Sequence, residues 1–141
     1  MRKLHKFAFA GLQSIKKNIM NNKPPVYNPV SLIGGNKEER FKMIFALFNK
    51  DFNSKHKGRY IDCAKEESFE IDNQMELIFL ENVQVLARNE TMQRKVRDVV
   101  ETCLNNHIQL VICSDKEIDT LEIDELLKSK MKYGLTLYLE D

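Results

Sequence analysis

The stretch Tyr27-Asn28-Pro29-Val30-Ser31-Leu32-Ile33-Gly34-Gly35-Asn36-Lys37-Glu38-Glu39-Arg40-Phe41 decides the fold of this chain. Residues 26–33 contain Val30, Leu32 and Ile33 and run into Gly34-Gly35, the pattern of a buried strand entering a tight turn. From 37 to about 52, Phe41, Ile44, Phe45 and Phe48 recur at helical spacing, so a helix follows directly. Strand, glycine turn and helix in that order make the place where α/β proteins hold phosphate groups.

Outward from this stretch, the same alternation continues. Upstream, Phe9, Leu12, Ile15 and Ile19 mark an amphipathic helix over 9–20 that Asn21, Asn22, Pro24 and Pro25 end. Downstream, Gly58 opens a short strand, Arg59-Tyr60-Ile61-Asp62-Cys63, and a polar stretch over 65–74 follows. Leu77-Ile78-Phe79-Leu80 and residues 108–113 are continuous apolar runs, as expected of central strands covered on both faces. Between them, Val96, Val99, Val100, Cys103 and Leu104 predict a helix over 91–105. A helix over 123–130 and a strand over 135–139 complete the chain. Five strands alternating with helices predict right-handed βαβ units and a mostly parallel sheet. Ligands in such sheets bind at the carboxyl ends of the strands, where Gly34-Gly35, Glu81 and Ser114 fall.

A length of 141 residues, with 43% hydrophobic and 30% charged positions, suits one domain with a real core. Its net charge of +1 conceals an asymmetry. Residues 1–37 hold seven basic residues (Arg2, Lys3, Lys6, Lys16, Lys17, Lys23, Lys37) and no acidic one, leaving 15 basic against 21 acidic beyond. We therefore expect a basic segment with its helix over 1–25 and an α/β core over 26–141. The basic segment reads as the solvated face of an amphipathic helix, with weak nonspecific DNA contact through residues 1–37 as its functional reading. Three cysteines (Cys63, Cys103, Cys113), no secretory leader and no long apolar run point to a cytoplasmic protein without disulfides or membrane contact. Cys103 and His107 stand four apart, but a fourth metal ligand is missing, so they read as a buried thiol and a helix-end histidine and no metal is expected. Ser114-Asp115 with a histidine lacks any nucleophile-elbow signature.

A P-loop requires G-x-x-x-x-G-K-[ST], in which backbone N–H groups and the Lys hold phosphates and the hydroxyl ligates magnesium. Here Gly34 fills the first glycine position, and Gly35 adds to the turn. Glu39 replaces the second glycine, Arg40 the lysine and Phe41 the hydroxyl. Glu38 and Glu39 together put two carboxylates where phosphates need positive charge.

The chain nevertheless resembles the bacterial DnaA family of AAA+ replication initiators over about residues 7–141. Tyr27-Asn28-Pro29 through Gly34-Gly35 is similar to that family's P-loop entry, and Ile78-Phe79-Leu80-Glu81-Asn82-Val83-Gln84-Val85-Leu86 to its Walker B strand. Val111-Ile112-Cys113-Ser114-Asp115 resembles the sensor 1 strand, and residues 127–135, which contain Lys128 and Lys130, the segment carrying the arginine finger. The resemblance implies a three-layer α/β P-loop AAA+ core with a mostly parallel five-stranded sheet. The family's lid and helix-turn-helix domain are expected to be absent, and only a short stretch stands where the family inserts an element facing single-stranded DNA.

Departures fall on the chemistry. Glu81 and Asn82 replace the two Walker B aspartates, Lys130 the finger and Leu126 a further Arg, and Asn82 is no base. A vestigial nucleotide site (Gly34, Gly35, Glu39, Arg40, Phe41), a vestigial Walker B pair, a sensor-like pair (Ser114, Asp115) and a finger-like interface (Lys128, Lys130) are therefore expected. We read the chain as catalytically inactive, with neither ATP nor ADP as a cofactor. Its expected partner is a replication initiator or another AAA+ subunit. The alternative is a divergent nucleotide-binding ATPase module, or a fragment of an initiator or helicase loader.

Overall fold

The computed structural model describes residues 6–49, 58–65 and 68–139. Arg2 and Lys3 of the basic segment, the expected helix end near Phe52, and Asp141 lie outside the described residues. In chain order the elements are α1 (Lys6–Met20), β1 (Val30–Gly34), α2 (Lys37–Phe48), β2 (Gly58–Asp62), β3 (Leu77–Glu81), α3 (Glu90–Asn105), β4 (Gln109–Ser114), α4 (Glu125–Lys132) and β5 (Leu135–Leu139). The strands form one sheet in the order β2-β3-β4-β1-β5, and every pairing is parallel.

Helices cover both faces of the sheet, which explains the unbroken apolar runs. Along β3, Leu77 and Phe79 point to the layer of α1 and α2, where they meet Leu12, Ile15, Ile44 and Phe48. Ile78 and Leu80 point the other way, to Val96 and Val100 of α3 and to Leu127 and Met131 of α4. Each such fully buried side chain contributes about 1.5–3 kcal/mol of hydrophobic stabilisation.

Helix α2 departs from the sequence reading. Its buried residues are Arg40, Met43, Ile44, Leu47 and Phe48, and Phe41 and Phe45 are exposed. The true stripe runs 40, 43, 44, 47, 48, an ideal helical spacing whose first member is a charged residue. Phe41 and Phe45 stack on each other instead, with centroids 4.5 Å apart, and Phe41 meets Tyr60 edge-on at 5.4 Å. Helix α2 is described over Lys37–Phe48, with Asn49 as its C-cap and the cap N–H donating to the Phe45 carbonyl.

The Asn28-Pro29 pair and Gly134 fasten the lower end of the sheet. Asn28 Nδ2 donates to the Ile108 carbonyl at 2.7 Å and Asn28 Oδ1 accepts from the Leu110 N–H at 2.9 Å, so its amide extends the β4 ladder like a peptide unit. A Cβ on Gly134 would lie 1.8 Å from the Pro29 carbonyl oxygen, which leaves room only for glycine. At the end of α3, His107 adopts a left-handed φ of 55° and Ile108 N–H donates back to the Cys103 carbonyl at 2.9 Å, closing the helix.

Candidate functional site at the carboxyl ends of the strands

Parallel pairing brings the ends of β1, β2, β3 and β4 to one edge, and α2 begins directly above it. Only Gly35 and Asn36 separate β1 from α2. Asn36 caps the helix, its Oδ1 accepting from the Glu39 N–H at 2.9 Å. Glu38 and Glu39 thus occupy the first helical turn, where the helix dipole favours negative charge.

Arg40 turns inward and is fully buried. Its Nη1 donates to the Gly34 carbonyl at 2.7 Å, and its Nη2 donates to Glu81 Oε1 at 2.6 Å and to Asp115 Oδ1 at 2.7 Å. Nε lies 3.0 and 3.1 Å from the two Glu81 oxygens, completing a fork on a carboxylate that is itself fully buried. Burial by itself lowers the Arg40 pKa, but the Glu81 hydrogen bonds and charge, with Asp115, outweigh it and hold the guanidinium above its ordinary value.

A second chain of polar contacts runs alongside. Lys37 Nζ pairs with Asp62 Oδ2, Asn82 Nδ2 donates to Asp62 Oδ1 at 2.9 Å, and Gln84 Nε2 donates to Asn82 Oδ1 at 2.9 Å. Gln84 Oε1 then accepts from the Asp115 N–H at 3.3 Å, returning to the Arg40 cluster. Burial raises the Asp62 pKa, but Lys37, Asn82 and the Ala64 N–H bring it below the usual carboxylate value. Burial and the Glu81 charge raise the Tyr60 phenol, whose OH stands 3.4 Å from Glu81 Oε2.

Of the residues expected at this site, Gly34, Arg40, Glu81, Asn82 and Asp115 come together. Gly35 lies in the connecting turn, and Phe41 sits apart with Phe45 and Tyr60. Ser114 Oγ serves its own turn, donating to the Lys116 carbonyl at 2.7 Å. Lys37, Asp62 and Gln84 were missed by sequence reasoning. The signal available for Asp62 was its place at the end of a strand parallel to β3.

The chain matches the model of the bacterial DnaA ATPase domain over residues 12–138. It belongs to that family. The chromosomal replication initiator protein DnaA of Geobacter metallireducens is 24% identical over 135 residues, covering 84% of this chain and 30% of that protein. Domain III of the Thermotoga maritima replication initiation protein DnaA superposes with a TM-score of 0.81 at 20% identity, covering 99% of this chain and 64% of that one. AMPPCP-bound DnaA from Aquifex aeolicus superposes at 0.78 and 16% identity, covering 99% and 48%. The chain thus spans about a third of the length of the curated DnaA proteins it matches.

In this DnaA-family domain Lys130, expected from the sequence at the finger position, is engaged within its own chain, its Nζ 2.6 Å from Glu101 Oε1 on α3. That ion pair lowers the Glu101 pKa. Lys128 Nζ donates to the Asp119 carbonyl at 3.2 Å, and Leu126 is exposed. Neither lysine joins the Arg40 cluster. On the basic side, Lys16 donates to the Leu47 carbonyl at 2.5 Å, while Lys6, Lys17 and Lys23 are exposed.

Among the described residues, no group of three or more His, Cys, Asp and Glu side chains is placed to hold a metal ion. Cys63, Cys103 and Cys113 are buried and none is in a disulfide. Burial pushes the Cys103 thiol up to about 12. Burial also raises Cys113, assisted by the neighbouring Glu81 charge. His107 is exposed on its turn, away from the core position of Cys103. No described helix is long and apolar enough to cross a membrane.

Proposed function

We propose that this chain is a DnaA-family core that acts in the initiation of DNA replication, or in its regulation, through protein–protein contact and without ATP chemistry. The observation that carries this reading is the buried fork of Arg40 on Glu81, extended to Asp115 and the Gly34 carbonyl. A P-loop lysine works by directing its charge at phosphate oxygens. The guanidinium at that position is instead directed at the chain's own carboxylates.

Three further features point the same way. With α2 starting at Lys37, only two residues remain to form the loop whose free N–H groups would cradle phosphates, and Asn36 already occupies one N–H of that turn. Phe41 offers no hydroxyl to magnesium. Asn82, at the second Walker B position, is engaged with Asp62 and Gln84 and carries no carboxylate. These residues do not fit a triphosphate with its magnesium.

A core that keeps the family's packing retains the outline of an AAA+ subunit. It suits insertion beside an initiator or another AAA+ subunit, where a member without nucleotide caps or regulates the assembly. Size-exclusion chromatography of the chain with the full-length initiator of its own cell, run with ATP, with ADP and with neither, tests the partner. Co-elution in all three buffers is expected, and failure to co-elute in any of them overturns the reading.

A further inference from the structure

We propose that β5 is the pairing edge of a homodimer, in which a second copy of this chain lays its own β5 antiparallel across a two-fold axis at Leu137 and joins the two sheets into one. This rests on the edge itself and is independent of the nucleotide reading. The sheet has two edges, β2 and β5, and they are built differently.

An edge strand presents a row of unpaired N–H and C=O groups to any strand that comes near, and proteins blunt such edges with charge, proline, bulges or cover. Strand β2 is blunted. It carries Gly58, Arg59 and Asp62, and the Arg59 guanidinium donates to the carbonyls of Ser68 and Glu70, holding that segment beside the strand.

Among the described residues, strand β5 has none of these devices. Its sequence, Leu135-Thr136-Leu137-Tyr138-Leu139, contains no charge, glycine or proline in a chain where 30% of residues are charged. Among the described residues its backbone pairs with β1 alone, and the Tyr138 OH donates to Glu117 Oε2 at 3.3 Å. Leu135 is 37% and Tyr138 44% exposed. Exposed Tyr133 stands two residues before the strand, and the Gly134–Pro29 contact brings exposed Val26 and Tyr27 alongside. Nearly half of the large exposed apolar residues among those described therefore gather at one edge, a concentration that marks an interaction surface.

The sequence of the strand selects a second copy as its occupant. Antiparallel pairing centred on Leu137 sets Leu135 opposite Leu139 and Thr136 opposite Tyr138, on matching faces and with no charge confronting a like charge. A shift of one residue breaks that matching. A two-fold interface requires a surface complementary to itself, and this strand reads similarly in both directions.

Sedimentation velocity of the full chain, with two variants, tests the proposal. At about 100 μM, where a micromolar Kd leaves mostly dimer, wild type is expected to sediment as a dimer. Opposed residues in an antiparallel pair stand about 4.5–5.5 Å apart at Cα, within the range a disulfide spans. Leu137→Cys is therefore expected to give a covalent dimer on mild oxidation, whereas wild type, with its three cysteines buried, gives none. The pair L135K and Y138K, both at exposed positions, is expected to yield a monomer with an unchanged circular dichroism spectrum. A monomeric wild type, a dimer that persists in the folded lysine variant, or absence of the Leu137→Cys cross-link overturns the proposal.

Discussion

Arg40 and Glu81 stand 41 residues apart in the chain and meet as a buried fork, with Nη2 2.6 Å from Oε1 and both side chains withdrawn from solvent. Removing one partner strands the other's charge inside the protein. Arg40→Ala is therefore expected to destabilise the fold by about 3–5 kcal/mol in urea denaturation. Replacing both partners, as in R40M with E81L, is expected to cost much less than the sum of the single changes, because no buried charge is left orphaned and the half-exposed Asp115 keeps its contact with water. Simple additivity in that double-mutant cycle would show that the pair is not coupled.

Asp62 links stability to acid. Its pKa is lowered in the folded protein, mainly through Lys37 and Asn82 working against burial. A depressed carboxylate contributes stability that is complete above its unfolded value of about 3.9 and is lost as pH falls through the lower folded value. Asp62→Asn is thus expected to lose stability at neutral pH and to show a shallower decline below about pH 4. Melting temperatures of both proteins between neutrality and acid measure the slope, and equal slopes would exclude Asp62 as its source.

Gly134 is expected to tolerate no side chain. With an added Cβ 1.8 Å from the Pro29 oxygen, Gly134→Ala forces β1 and β5 apart, at a cost of about 3 kcal/mol or more. Asn28→Ala removes two hydrogen bonds to the β4 backbone and is expected to cost about 1–3 kcal/mol. Chemical denaturation of both variants checks the order, with Gly134→Ala the more severe.

At the end of α3 the expected change is a gain. His107 holds a left-handed conformation that glycine adopts without strain, and its side chain is exposed. His107→Gly should raise stability by about 1 kcal/mol, seen as a higher melting temperature. A decrease would mean that the imidazole makes a compensating contact.

The strands and their order of succession were legible because burial on both faces writes unbroken apolar runs such as Leu77-Ile78-Phe79-Leu80. Apolar residues recurring at helical spacing placed the described helices to within a few residues. The character of α2 was harder to read. A stripe search that admits only apolar residues passes over Arg40, although 40, 43, 44, 47 and 48 share one helical face. Lys37–Asp62 and Asn82–Asp62 join residues 25 and 20 positions apart, and no local pattern records such pairs. Asn28 illustrates a further limit. It was noticed as part of a motif, but its contribution, an amide that completes the β4 ladder, became visible only with the sheet assembled.

Nucleotide titration of the wild-type chain tests the central claim most directly. Thermal unfolding is followed with rising ATP, and separately ADP, in the presence of magnesium. A ligand at 100 times its Kd stabilises its protein by about 2.7 kcal/mol, which raises the melting temperature by several degrees in a domain of this size. With the Arg40 guanidinium committed to Glu81, Asp115 and Gly34, no shift is predicted for either nucleotide. A saturable rise in melting temperature that requires the triphosphate would contradict the account.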